Sequence, residues 1–182
     1  SEGEWSERFG VLYQPNPMAT YYFSYGTSFN TSGDTYAYDL PGSNTPPESS
    51  RNIELGTYLN LLQGRLSARA SVFNITKYNE RNRDSPNGTP IDEYLLSGQR
   101  HATGIDIDIA GRITPLWDVF VSYAWIPIAE IDEGNADGSV LTGEQAGVRP
   151  SLTPRNSGSV WTTYQLMPQL RIGGGITFRS SQ

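Results

Sequence analysis

"SSRNIELGTYLNLLQGRLSARASVF", residues 49 to 73, decides the fold. Apolar residues take every second position, Ile53, Leu55, Leu59 and Leu61, then resume past Gln63-Gly64 at Leu66, Ala68, Ala70 and Val72. Period two marks a strand with two unlike faces, and a glycine-bearing turn between two such runs marks a hairpin. The positions between are polar or small: Glu54, Gly56, Asn60, Ser67, Arg69 and Ser71. One face meets water, and the fold turns on what lies against the other.

The same alternation recurs along the chain, while helical periodicity is weak throughout. It predicts eight strands, near 4–14, 18–29, 51–62, 65–77, 98–113, 117–127, 153–166 and 170–180. In the second, Ala19, Tyr21, Phe23 and Tyr25 oppose Thr20, Tyr22, Ser24 and Gly26. In the fifth, Ile105, Ile107 and Ile109 alternate with Asp106, Asp108 and Ala110. The sixth carries Trp117, Val119, Val121, Tyr123 and Trp125 on one side. The fourth slips phase at Val72-Phe73, where a bulge or a strand end is expected.

The connections are of two kinds in strict alternation. Pro15-Asn16-Pro17, Gln63-Gly64, Thr114-Pro115-Leu116 and Met167-Pro168-Gln169 read as tight turns. Between them lie long polar segments at 30–50, 78–97 and 128–152, rich in Gly, Pro, Asn, Asp and Ser. Long segments at one end of the strands and tight turns at the other is the layout of a barrel in the bacterial outer membrane. Eleven or so residues at about 3.3 Å each, tilted by about 45°, also match an apolar band about 25 Å tall. Trp117 and Trp125 at opposite ends of one strand, and Trp5 and Tyr13 of another, suit interfacial girdles. Ile53, Leu55, Leu59 and Leu61 then face lipid, while Glu54, Arg69, Asp106 and Asp108 face a wet lumen, with Arg69 pairing Glu54 or Asp106.

Composition bounds the remaining classes. The chain has 182 residues, a net charge of −6 and no cysteine, so disulfides, thiolate metal sites and a cysteine nucleophile are excluded. The acidic balance argues against nucleic acid. No apolar run is long enough for a spanning helix, which leaves spanning strands untouched. Ser97, His101 and Asp106 can be drawn as a triad, but nothing resembles a nucleophile elbow, and no enzyme is expected. His101 is the one histidine, so a multi-histidine metal site is impossible. "EGNADGSVLTGE" (133–144) has the spacing of a calcium loop, through Glu133, Asn135, Asp137, Gly138 and Glu144, yet without readable flanking helices; it is taken as a chance match, and neither metal nor cofactor is expected.

Eight strands suffice for a small closed barrel. Traced from the turns, however, both chain ends fall at the long-segment rim, and "FRSSQ" lacks a closing aromatic. The expected architecture is therefore all-β: eight antiparallel meander strands, residues 1–182, forming an arc of a larger barrel cut in two external loops. The alternatives are a complete small eight-stranded outer-membrane barrel with an adhesive or structural role, and a soluble ligand-binding β-barrel.

Several stretches resemble TonB-dependent siderophore receptors of the bacterial outer membrane. "YYFSYGTSF" (21–29) looks like that family's tyrosine-rich strand before an external loop. "NIELGTYLNLLQGRLSARASVFNITKYN" (52–79) resembles its Glu-Leu-Gly hairpin. "GQRHATGIDIDIAGRITPLWDVFVSYAW" (98–125) is similar to its Gly-hydrophobic-acidic hairpin, and "TPRNSGSVWTTYQL" (153–166) to the Pro-led strand that follows. The resemblance implies a 22-stranded transmembrane barrel holding an N-terminal plug. It implies a transporter that binds ferric siderophore outside and admits it through the TonB-ExbB-ExbD complex acting on a plug absent from this stretch. Outer-membrane lipid and lipopolysaccharide would surround it, and an arc alone would aggregate in water. Siderophores that carry negative charge and aromatic rings call for Arg and aromatic side chains at the outer rim. The candidates are Tyr36 and Tyr38 in the first long segment, Tyr78, Arg81, Arg83 and Tyr94 in the second, Arg149 in the third, and Arg100 and His101 opening the fifth strand.

Overall fold

Strands with one oily and one polar side pair with their sequence neighbours when short turns allow it, and here they do so in chain order. The computed structural model describes residues 5–30, 47–84, 93–133 and 146–181. β1 (Arg8–Asn16), β2 (Ala19–Asn30), β3 (Glu48–Leu61), β4 (Leu66–Asp84), β5 (Glu93–Thr114), β6 (Trp117–Glu133), β7 (Asn156–Met167) and β8 (Leu170–Arg179) form one antiparallel sheet in that order. Among the described residues β1 and β8 each pair with one neighbour, so the sheet is an open arc and not a closed eight-stranded barrel.

Three of the four turns sit where proline and asparagine place them, at 17–18, 115–116 and 168–169. Asn16 Oδ1 accepts the N–H groups of Met18 and Ala19 at 2.9 and 3.0 Å, an Asx turn that reverses the chain. The turn after β3 is wider than expected. Leu62 and Gln63 adopt φ of 52° and 60°, so Leu62 leaves the strand, and the Arg65 side chain donates to its carbonyl at 3.0 Å.

Two expectations are corrected. No bulge occurs at Val72-Phe73: β4 keeps register with β3 from Leu66 to Tyr78 and with β5 from Leu66 to Lys77. The apparent slip is an aromatic residue on the inward face. Phe73 lies opposite Gly104, where an added Cβ would come within 2.8 Å of the Phe73 ring. Register shifts lie elsewhere, beside the tight turns and higher up, the latter including Asn79 (φ 53°) in β4 and Ile126-Pro127 in β6, where proline has no N–H to give the ladder. The long segments are also shorter than read, since β4 and β5 stay paired as far as Asp84 opposite Glu93 and β6 runs to Glu133.

Register fixes the faces. One ladder row runs Val11, Phe23, Leu55, Val72, Ile105, Trp125, apolar from β1 to β6, and reaches Asn156 on β7. The inward row one step away runs Tyr22, Gly56, Ser71, Asp106, Ala124, Ser157. Burial is inverted relative to a soluble protein. Leu55 and Val72 are 61% and 51% exposed, whereas inward Ser71 is 3% exposed. Phe73, Ala129 and Ile131, the buried apolar side chains among the described residues, all lie on the inward side. A soluble barrel would hide the apolar rows instead.

From Trp117 to Trp125 the outward face spans eight residue steps, about 26 Å along the strand and about 20 Å after a tilt of about 40°. That is the scale of a lipid-facing band. Tyr13 lies on this face near the first turn, but Trp5 precedes β1 and is 89% exposed, so those two do not end one strand. Spin labels at Ile107 and Asp108 of the full-length parent protein in bilayers test the assignment. The Ile107 label should be quenched by oxygen and the Asp108 label by nickel chelates; the reverse order would refute it.

Candidate functional site on the inward face and outer rim

The inward rows bring together side chains that are distant in sequence. Tyr22 of β2 lies opposite Gly56 of β3, and a Cβ at Gly56 would sit 2.5 Å from its ring, so the phenol has room only because that residue is glycine. Its hydroxyl donates to Glu54 Oε1 at 2.5 Å and accepts from Arg69 Nε at 3.1 Å. Arg69 Nη2 meets the same Glu54 oxygen at 2.5 Å, and its Nη1 lies 3.8 Å from Asp108. The Tyr22 and Tyr58 rings stack at 5.0 Å, and the guanidinium carbon lies 5.9 Å from the Tyr58 centroid. One cation thus holds two carboxylates and touches two phenols across four strands.

Three of the inward acids behave as their spacing suggested, and one partner changes. Glu54, Arg69, Asp106 and Asp108 share the inward face. Arg69 pairs with Glu54 and Asp108, not Asp106, because antiparallel register sets Asp108 directly opposite it and Ser71 opposite Asp106. Tyr22 and Tyr58 escaped the sequence reading. Their signal was an aromatic on the polar side of an alternating strand. A second inward cluster near the turns also went unread: Asp118 takes Arg171 at 2.8 Å and Arg112 at 3.6 Å, with Thr163 at 3.4 Å.

At the outer rim the candidates divide by face. Arg100 opposes Lys77 on the inward side and is ion-paired with Glu80. Lys77 reaches Glu80 at 2.9 Å and Glu48 at 3.6 Å, so the cluster's charges cancel. His101 points outward, as the next residue must, and its Nδ1 lies 2.7 Å from Asp132. Tyr78 is opposite Ser49 on the outward side. Arg81 and Arg83 fall in β4 and Tyr94 in β5, with Arg83 opposite Tyr94 in the ladder. Tyr36, Tyr38 and the calcium-like spacing after Glu133 lie outside the described residues.

Arg149 has a structural occupation. Its guanidinium donates to the carbonyls of Thr153 (2.7 Å), Ile126 (2.6 Å), Pro154 (3.3 Å) and Pro127 (3.5 Å). These include the two carbonyls of the β6 bulge, so Arg149 pins residues 146–155 to the strand that proline interrupts. Burial, with Arg155 beside it, lowers its proton affinity from the ordinary arginine value.

A sheet with oil outside, ions inside and girdle aromatics at both edges defines the wall of a membrane-spanning β-barrel. The chain belongs to the TonB dependent receptor-like β-barrel family, whose family model matches residues 1–182; members of this family are outer-membrane β-barrel proteins. It is 33% identical over 180 residues to a probable TonB-dependent receptor, BfrD, of Bordetella pertussis, covering 95% of this chain and 22% of that protein. It is 25% identical over 183 residues to a probable TonB-dependent siderophore receptor, PiuA, of Acinetobacter baumannii, covering 93% and 23%. The crystal structure of PiuA from Acinetobacter baumannii superposes with a TM-score of 0.77 at 22% identity, over 94% of this chain and 25% of that one. The alcaligin outer-membrane receptor FauA of Bordetella pertussis gives 0.69 at 26% identity, over 99% and 30%. The chain therefore spans about a fifth to a quarter of the length of the curated relatives it matches, as an arc of a 22-stranded barrel does.

Two outcomes test this geometry in the parent protein. A double-mutant cycle of Glu54→Gln and Arg69→Gln, read from denaturant unfolding, should give a coupling of about 1 kcal/mol, since both groups are partly exposed. Coupling indistinguishable from zero would make the pair incidental. Arg149→Lys should open the 146–155 segment to proteolysis nearly as much as Arg149→Ala, because a point charge cannot fork to several carbonyls. Wild-type resistance in Arg149→Lys would refute the anchoring role.

Proposed function

We propose that this chain supplies lipid-facing wall, lumen lining and outer rim to an outer-membrane receptor that takes up ferric siderophores. The observation that carries the reading is the inverted sheet, oily outside and charged within, in a chain matched end to end by a TonB-dependent receptor family. The names of its relatives add support, since they include siderophore, ferric-pyoverdine and catecholate siderophore receptors. In the working protein, ferric siderophore binds at the outer rim, and the TonB-ExbB-ExbD complex drives entry through the plug.

The rim contacts are assigned to the β4–β5 hairpin and its surroundings. This hairpin continues past Trp125, the top of the girdle, for a further dozen residues of β5, from Ile105 to Glu93, about 40 Å along the strand. Arg81, Arg83 and Tyr94 ride on it, Arg100 stands at its inward base, and Tyr36 and Tyr38 belong to the stretch of sequence between β2 and β3. A guanidinium facing an anionic chelate offers charge-assisted hydrogen bonds, each worth roughly a tenfold change in affinity.

The experiment is iron-siderophore binding and uptake by cells making the full-length parent receptor under iron limitation. Saturable binding, with uptake abolished on collapsing the proton-motive force, is expected. Arg81→Ala and Arg83→Ala should weaken binding by about tenfold each. A receptor that folds in the outer membrane yet binds none of a panel of catecholate, hydroxamate and mixed ferric chelates would overturn the reading.

A further inference from the structure

Above the Arg69 cluster the inward face opens into a second cavity at the outer rim. Ser50 lies four residues from Glu54 toward that rim, about 13 Å along β3. Its ladder row runs Ser28, Ser50, Lys77, Arg100, and the next inward row sets Asn30 opposite Glu48. Ser28, Asn30, Glu48, Ser50 and Lys77 line a cavity of about 220 Å³ across β2, β3 and β4. At about 30 Å³ each it holds about seven waters, and it falls short of the smallest common ligand pockets, at about 300 Å³. A whole ferric chelate does not fit. One arm of a chelate does.

We propose that this cavity takes an uncharged, hydroxyl-bearing arm of the siderophore, while the anionic iron-binding face lies elsewhere on the rim. Charge decides against an ionic guest. Lys77 Nζ reaches Glu80 at 2.9 Å and Glu48 at 3.6 Å, and Glu80 also pairs with Arg100. The formal charges of these two cations and two carboxylates cancel. A carboxylate guest would have to draw Lys77 from its partners, and an ammonium guest would have to draw Glu48 from Lys77, each at the cost of a formed pair. A neutral hydroxyl disturbs neither.

Hydrogen-bonding capacity points the same way. The Ser28 and Ser50 hydroxyl oxygens lie 2.7 Å apart, and either one donates to the other. That bond uses one of the two O–H protons, so the pair keeps one donor and unused lone pairs. A guest hydroxyl both accepts and donates, and joins the pair as a third member. An iron-bound catecholate or hydroxamate oxygen only accepts. Both serines sit on paired strands, so little ordering is needed when the arm enters.

The inference rests on the siderophore-uptake reading and adds a substrate class to it. Its test uses matched synthetic ferric chelates with seryl or alanyl arms, equal in charge and in iron-binding groups, made in a catecholate and a hydroxamate series. Binding to the full-length parent receptor in detergent is measured by calorimetry. In the series it accepts, wild type should bind the seryl chelate about tenfold tighter than the alanyl one, as two ordinary hydrogen bonds give. Ser28→Ala and Ser50→Ala should each shrink that preference and together abolish it. Equal affinity of wild type for seryl and alanyl chelates, or a full preference in the double variant, would overturn the assignment and leave the uptake reading standing. Binding of no chelate in either series would overturn both, so the two failures are told apart. Should the double variant fail to fold, the single variants carry the comparison.

Discussion

A chain crossing hydrocarbon must give every backbone N–H and C=O to another part of itself, because no water is there to take them. The rest of this structure follows from that. Strands β2 to β7 exchange ladder bonds with both neighbours through the apolar band, and no proline occurs between Leu66 and Val72, Ile105 and Ile113, or Trp117 and Trp125. Pro127 comes just above Trp125, where the ladder is first allowed to break. The carbonyls released there are taken by Arg149, a side chain from the following segment. The constraint thus fixes where irregularity begins, and the irregularity explains why an arginine is needed in that segment.

The inverted faces follow next. With lipid outside, the apolar side chains need no partner layer within the protein, and the interior is left to polar groups that must satisfy one another. Arg69 does so for Glu54, Tyr22 and Asp108 at once. Space inside is shared out by glycine: Tyr22 covers Gly56 and Phe73 covers Gly104, so large inward rings are admitted where the opposite strand has no side chain. Both glycines are thereby tied to an aromatic partner across the ladder, which sequence position alone conceals.

The strands and their two faces were legible in the sequence because oil on one side enforces period two. Strand ends were not, and the reason is physical. Above the membrane neither face needs oil, so β4 and β5 stay hydrogen-bonded to Asp84 and Glu93 while their alternation vanishes. Phe73 imitated a phase slip because the polar face was assumed to exclude aromatics. The Arg69 partner was half legible: Glu54 came from the hairpin itself, whereas choosing between Asp106 and Asp108 needs the register of β4 against β5, which a shift of two residues reverses. Tyr22 and Tyr58 carried a readable signal, an aromatic among Thr, Ser, Gly and Asn, that was passed over.

The rim shows what such a wall can and cannot contribute to recognition. Along its inward edge the fixed charges are already matched, Lys77 and Arg100 by Glu48 and Glu80, and in the lumen below Asp118 is likewise engaged, by Arg112 and Arg171. A charge held by its own chain must be released before it can hold a ligand, and that release opposes binding. Preformed pairing therefore favours a rigid frame. On the proposed reading, strong attraction for an anionic chelate has to come from positions above these pairs, and the β4–β5 hairpin is the described element that the backbone ladder carries farthest above the girdle. Stiffness at the base and reach at the tip are two consequences of one ladder, which among the described residues pairs β5 with both β4 and β6 as far as Gln99 and with β4 alone beyond it.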